Sequence, residues 1–298
     1  MIVLRSILFN VLFYISTLII MLACMFLFVL PVRYCWWLIP FWARTEKFLL
    51  RWVAGVKSEV KGLENIPDTG CIIVSKHQSA WETFALAEYY RQPTYILKKE
   101  LRYVPFFGWY LMKFRQIPVD RGKKGKALSE MSKKAAEAIA EGRNIVIYPE
   151  GTRRPAGAEP QYKYGIVHLY KTLNCPIVPV ALNSGVYWPR RRFFRFPGTI
   201  TGEFLEPIQP GLQPDEFFKT LQERIEGASD RLLDEAEKAT PDNIIIKEAR
   251  ARQAEYKKNK DFAWKSDVSK EEGRLCLKGG FFFDNALAQL VICSQFVL

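Results

Sequence analysis

The chain has 298 residues, 49% of them apolar, enough for a sizeable core in one large domain or two small ones. Its 43 Lys and Arg against 31 Asp and Glu give a net charge of +12, which suits nucleic acid, an anionic membrane surface or a phosphorylated substrate. Six scattered cysteines, Cys24, Cys35, Cys71, Cys175, Cys276 and Cys293, make no CxxC or metal-ligand spacing, which excludes a zinc module and favours a reducing compartment.

From Ser6 to Val32 no residue is charged, and roughly 20 apolar residues suffice to cross the hydrocarbon core of a bilayer. The run exceeds a usual signal core, and no small-x-small cleavage site closes it. It is therefore expected to be a membrane helix, or a re-entrant pair broken near Pro31 and Pro40. Trp36, Trp37 and Trp42 follow among Arg33, Arg44 and Lys47, the mixture expected at a membrane interface. Arg44 to Val56 has helical apolar spacing with a basic opposite side and is expected to lie on the membrane. Only Arg5 precedes the apolar run, so the positive-inside rule places the bulk of the chain in the cytoplasm.

From about Val56 to Ile208 the pattern alternates. Strand-like runs at 71–75 (CIIVS), 93–98 (PTYILK), 116–120 (QIPVD), 144–149 (NIVIYP) and 176–182 (PIVPVAL) are separated by helix-like stretches. This predicts an α/β domain with a mostly parallel sheet flanked by helices. The clearest crossover is 126–142, where Leu128, Met131, Ala135 and Ile139 recur at helical intervals before Gly142. Residues 194–210 read as one or two further strands and 214–240 as a charged amphipathic helix. The expected division is an anchor over 1–56, an α/β domain over 57–245 and a tail over 246–298. The tail is read as a disordered extension or an altered reading frame.

The segment VSKHQSAWET holds His77, one of two histidines, with Glu82 five residues on. In a continuous helix that offset turns about 140° past a full turn, placing the side chains on different faces. They can pair only if His77 precedes a helix that begins near Ala80. Glu82 would then hold one imidazole nitrogen and leave the other as a base. Spacing alone leaves a second reading equally open, in which His77 caps the helix and Glu82 complements its positive end. No GxSxG elbow supplies a serine nucleophile, and His168 is too isolated to complete a metal site.

YPEGTRRPAG (148–157) follows a buried-type strand. Its glycine turn exposes backbone N–H groups, and Arg153 and Arg154 suit phosphate oxygens, although a plain charged turn is also open. Without GxxxxGK[ST] spacing it is not a nucleotide-binding loop. In KKELRYVPFFGWYLMKFRQIPVDR (98–121), the aromatics Phe106, Phe107 and Trp109 are either core or the lining of a lipid groove, and Arg121 follows a strand end.

Taken in order, KHQSAWE, KKELRYVPFFGW with IPVDR, YPEGTR and IVPVALNSG resemble the blocks of the glycerolipid acyltransferase family, in particular bacterial 1-acyl-glycerol-3-phosphate acyltransferases. The resemblance covers about Arg51 to Ser184. It departs at one position, where Glu82 stands in place of the family's usual aspartate. It implies transfer of an acyl group from a thioester to the sn-2 hydroxyl of lysophosphatidic acid, giving phosphatidic acid. His77 would act as general base, Glu82 would orient it, and Lys99, or its neighbour Lys98, would stabilise the oxyanion. Arg121 and Arg153 would bind the glycerol phosphate in a pocket shaped by Glu150, Gly151 and Thr152. The implied donor is acyl-CoA or acyl carrier protein, with no cofactor or metal, and the implied location is the inner membrane with the active domain facing the cytoplasm. Another lysophospholipid or a lyso-aminolipid is an alternative acceptor. A non-catalytic lipid- or nucleic-acid-binding protein is disfavoured, since no RNA-binding signature or basic-aromatic repeat accompanies the charge.

Overall fold

The computed structural model describes residues 1–120 and 124–271. Arg121 and the apolar end of the chain lie outside the described residues. Among those described, the strands form one seven-stranded sheet in the order β1-β7-β6-β2-β5-β3-β4. They are β1 (Val56–Lys61), β2 (Ile72–Ser75), β3 (Thr94–Lys98), β4 (Ile117–Val119), β5 (Ile145–Ile147), β6 (Ile177–Leu182) and β7 (Gly198–Phe204). The pairings are parallel except β6 with β7, so the sheet is mostly parallel as expected. Strand β1, with the polar sequence VKSEVK, lacks a buried-strand pattern because it lies at the sheet edge and pairs only with β7.

The central strands are apolar throughout because helices cover both faces. Ile72 and Val74 of β2 point to one face, where they join Ile145, Ile177 and the inner sides of three helices: α5 (Lys124–Ala140), α6 (Gly165–Leu173) and α8 (Pro214–Ala239). Ile73 points to the other face, with Val146, Val178, Trp81 and Phe84. Two helices show their end signals plainly. After α5, Gly142 takes φ +74, a left-handed conformation that ends the helix with little strain only because glycine has no Cβ. At the start of α8, Pro214 occupies the first turn, and Asp215 and Glu216 complement the helix's positive end.

The N-terminal helix α1 (Ile2–Ala23) is long and apolar enough to cross a membrane. One stripe of it, Ser6, Phe9, Phe13 and Thr17, is buried, with Phe9 and Phe13 set edge-on against Trp188 at 5.3 and 5.6 Å between ring centres. The opposite stripe is exposed and apolar, including Ile7, Val11, Ile15 and Leu18. Helix α2 (Leu38–Leu49) returns beside it. The buried Glu46 of α2 joins the two, accepting hydroxyl bonds from Ser16 at 2.7 Å and Thr17 at 3.0 Å. The anchor is thus a helix pair laid along the α/β domain.

The remaining helices are α3 (Trp81–Phe84), α4 (Phe107–Lys113), α7 (Ser184–Tyr187) and α9 (Ile244–Glu271). The last falls where the sequence was read as an unpatterned tail. Its first turns are held by the domain: Ile245, Ile246 and Ala249 are buried, and the last two join the core with Val186 and Tyr187. Among the described side chains of the helix, none beyond Ala249 is buried, so no amphipathic period is required there.

Candidate active site

Strands β3, β5, β2 and β6 are neighbours and run parallel, so their carboxyl ends share one edge of the sheet, the usual place for ligand chemistry in α/β proteins. His77 follows β2, Tyr148 to Arg153 follow β5, Ser184 follows β6, and Lys98 ends β3. Residues far apart in sequence meet there.

His77 lies before α3 and Glu82 lies inside it. Nδ1 of His77 is 2.9 Å from Oε1 of Glu82. The same oxygen accepts the backbone N–H groups of Gln78 and Ser79, both at 2.7 Å. Oε2 accepts the hydroxyls of Ser79 at 3.1 Å and Ser184 at 2.7 Å. These bonds and the His77 contact hold the Glu82 carboxyl below its ordinary pKa, although burial pushes the other way. Burial pulls His77 below its ordinary value; Glu82 opposes this, while Arg153 and Arg190 add to it. With Nδ1–H donated to Glu82, the neutral imidazole presents Nε2 as a base. Of the two readings that spacing left open, the pair has the geometry of a dyad.

The imidazole is fixed on its face as well as at its edge. Tyr148 stacks on it with ring centres 4.0 Å apart and planes 18° from parallel. The backbone N–H of Arg154 donates to the His77 carbonyl at 2.7 Å. This bond ties the turn after β5 to the turn after β2. Gly151 makes that turn possible at φ +67, where a side chain would be strained.

A cavity of about 650 Å³ opens from this point, within the roughly 300–1,000 Å³ usual for ligand sites. Its polar end is lined by His77, Gly151, Thr152, Arg153, Lys98 and Arg190. Its apolar end runs between the anchor and the domain, past Ile20, Met21, Leu38, Phe107, Leu111 and Phe114. Of the aromatic stretch after Pro105, Phe107 therefore faces the cavity, whereas Trp109 is exposed.

Two residues expected at the site sit elsewhere. Lys99 is absent from the cavity wall, where Lys98 stands instead; its ammonium pairs with Asp120 at 2.6 Å. Lys98 is the last residue of β3 and Lys99 opens the helical turn after it, so the backbone changes course between them. Glu150 also lies outside the cavity wall, buried against Lys76 at 3.5 Å. Lys76 is shared with Glu226 of α8 at 2.7 Å, and Tyr162 donates to the same Glu226 oxygen at 2.9 Å. Burial pushes the Glu150 carboxyl up in pKa against the pull of Lys76. This carboxylate supports the turn from beneath. Arg121 lies outside the described residues. Among the described residues no group of His, Cys, Asp and Glu is arranged to hold a metal.

Ser184, Tyr148, Lys76 and Glu226 had no role in the sequence reading. Their residue types were visible, but their partners are remote: Ser184 lies 102 residues from Glu82, and Glu226 lies 150 from Lys76. Arg190 had a local signal, the run PRRR at 189–192.

Residues 57–183 match the family model described as Acyltransferase. The chain is 43% identical over 159 residues to the 1-acyl-sn-glycerol-3-phosphate acyltransferase of Pseudomonas aeruginosa, covering 53% of this chain and 62% of that one. It is 30% identical over 171 residues to the alpha form of the enzyme of that name from Mus musculus, covering 56% and 60%. The matches thus span about three fifths of these relatives' lengths. In fold it is similar to the crystal structure of the 1-acyl-sn-glycerophosphate (LPA) acyltransferase PlsC from Thermotoga maritima, with a TM-score of 0.67, 24% identity and coverage of 78% of this chain and 98% of that one. Residues 57–183, which contain His77, Glu82 and Arg153, are thus the part of this chain that is similar to the acyltransferase family.

Proposed function

We propose that this protein transfers an acyl group from an acyl thioester to the sn-2 hydroxyl of 1-acyl-glycerol-3-phosphate, giving phosphatidic acid. The observation that carries this reading is one cavity with two chemically different ends: a histidine base beside an arginine, and an apolar channel bounded by the anchor. A lysolipid has the same two parts. The names of the relatives from Pseudomonas and Mus point to the same acceptor.

Nε2 of His77 takes the proton of the acceptor hydroxyl while Glu82 steadies the resulting imidazolium. The hydroxyl oxygen attacks the thioester carbonyl, and the tetrahedral oxyanion collapses with cleavage of the carbon–sulfur bond. The proton on His77 passes to the departing sulfur, so no acyl-enzyme forms. Lys98, on the cavity wall, is better placed than Lys99 to meet the oxyanion. Arg153 takes the acceptor phosphate with charge-assisted bonds, joined by Arg121; Gly151 and Thr152 shape that end of the cavity. Glu150 acts indirectly, by supporting the turn.

In our reading the anchor brings this chemistry to a membrane surface, the cytoplasmic face of the inner membrane. The outer stripe of α1 and Trp37, Phe41, Phe48 and Trp52 around α2 are exposed, and together they supply an apolar belt. The inner stripe of α1 already packs on the domain, which favours a helix pair lying in one leaflet over a single perpendicular span. The donor is an acyl thioester of coenzyme A or acyl carrier protein.

Purified protein in mixed micelles should release free thiol from acyl-CoA only when lysophosphatidic acid is present, with phosphatidic acid identified by mass. Thiol release that ignores the acceptor, or none with both substrates present, would refute the reading.

A further inference from the structure

Six residues beyond the end of β6 the chain forms a basic and aromatic turn, WPRRRFFR (188–195), that lies outside the segment matched to the family model. Its arginines have different tasks. Arg192 is paired with Glu248 of α9 at 2.8 Å. Arg195 is buried, lies over the Trp188 ring at 4.4 Å, donates to the carbonyls of residues 192–194 and bonds Asn10 of α1 at 2.8 Å. These two brace the turn against α9 and α1.

Arg190 and Arg191 stand on the cavity wall beside them. Arg190 donates to the backbone carbonyl of Arg153, which places it beside the polar end near His77. Burial disfavours its charged form, and the like charges of Arg191, Arg153 and Arg154 add to this. Arg154 is directed away, to Gln161 at 2.7 Å and the Glu159 carbonyl at 2.9 Å. Arg191 is held at φ +56, a left-handed conformation unfavourable for any residue with a Cβ. Glycine would relieve that strain, yet the position holds an exposed arginine at the rim. Mutual repulsion and backbone strain both oppose this arrangement, and an anion bound between the two guanidinium groups relieves the repulsion.

We propose that Arg190 and Arg191 form a second anion subsite at the cavity mouth, distinct from Arg153, which binds a phosphate ester of a substrate. The identity of the substrates rests on the acyl-transfer reading above; the subsite itself rests on the arginines. The phosphate belongs either to the lysolipid acceptor or to the coenzyme part of the donor.

Titration calorimetry of the full-length protein in detergent decides this with four ligands: lysophosphatidic acid, monoacylglycerol, acyl-CoA and an S-acyl-N-acetylcysteamine. Arg190→Gln and Arg191→Gly should each weaken one phosphorylated ligand about tenfold, the loss expected for one charge-assisted contact. The phosphate-free counterpart should be unaffected, and Arg190→Lys and Arg191→Lys should recover most of the loss. Which phosphorylated ligand responds identifies the source. Because Arg191→Gly removes strain, its melting temperature should equal or exceed that of the native protein, which separates lost binding from lost folding. Unchanged affinity for both phosphorylated ligands, equal losses with and without phosphate, or no binding of either phosphorylated ligand by native protein would overturn the subsite. Native protein that binds with this arginine dependence but releases no thiol would overturn the acyl-transfer reading alone.

Discussion

Ser184 donates its hydroxyl to Oε2 of Glu82 at 2.7 Å, linking the end of β6 to the carboxylate that orients His77. Both groups are fully buried. The longer side chain at position 82 therefore reaches donors on both of its oxygens while keeping its contact with His77.

Removing this donor leaves one oxygen of a buried carboxylate short of a partner, which costs about 1–3 kcal/mol. Ser184→Ala should lower kcat about tenfold with KM within about twofold, since a tenfold rate change is about 1.4 kcal/mol. Steady-state kinetics on both substrates checks it; a KM effect alone would place Ser184 in binding.

The pH profile separates the neighbours of His77. Its pKa lies below the ordinary value, so the base stays neutral and active into mildly acidic solution. Glu82 favours the protonated imidazole, so Glu82→Gln should move the acid limb of kcat/KM to lower pH while lowering the plateau by roughly 10²–10⁴. Arg153 disfavours it, so Arg153→Gln should move the limb to higher pH and raise the acceptor KM. Shifts in the same direction would contradict these roles.

Lys76 is buried between Glu226 and Glu150, adjoining His77 in the chain. Glu226→Gln removes its nearest counter-charge and should destabilise the fold by about 3 kcal/mol, as for other broken buried pairs. Denaturant unfolding measures this. A change below about 0.5 kcal/mol, the size of an ordinary surface substitution, would show that α8 does not support the site.

The apolar belt predicts membrane partition without the domain's help. Phe48 is 60% exposed and Trp52 66%, and burying one such side chain yields about 1.5–3 kcal/mol. Phe48→Ser with Trp52→Ser should weaken partition to phospholipid vesicles by about 100-fold or more on that scale, with the melting temperature nearly unchanged. Vesicle flotation checks the first and thermal unfolding the second.

Much of the domain was legible because its signals are local. Each of the five strand-like runs named in the α/β region forms a strand, and α5 and α8 occupy the stretches where helical spacing placed them. The edge strand β1 was missed because partial exposure removes the apolar pattern on which recognition depends. Helix α9 was missed because, among its described side chains, burial is confined to the first turns, which leaves the following stretch free of any period. At the site, His77 and Glu82 could be paired because their five-residue offset restricts where the helix begins.

What the sequence by itself determined is the succession of strands and helices, the apolar anchor, and the order of the blocks that carry His77, Arg153 and their neighbours. Local periodicity and turn chemistry encode those. Tertiary structure decided which of Lys98 and Lys99 faces the cavity, that Glu150 turns beneath the site to Lys76, and that Ser184 and Arg190 join from beyond β6. Those outcomes depend on strand order and on side-chain direction across the sheet, which bring together residues with no periodic relation along the chain.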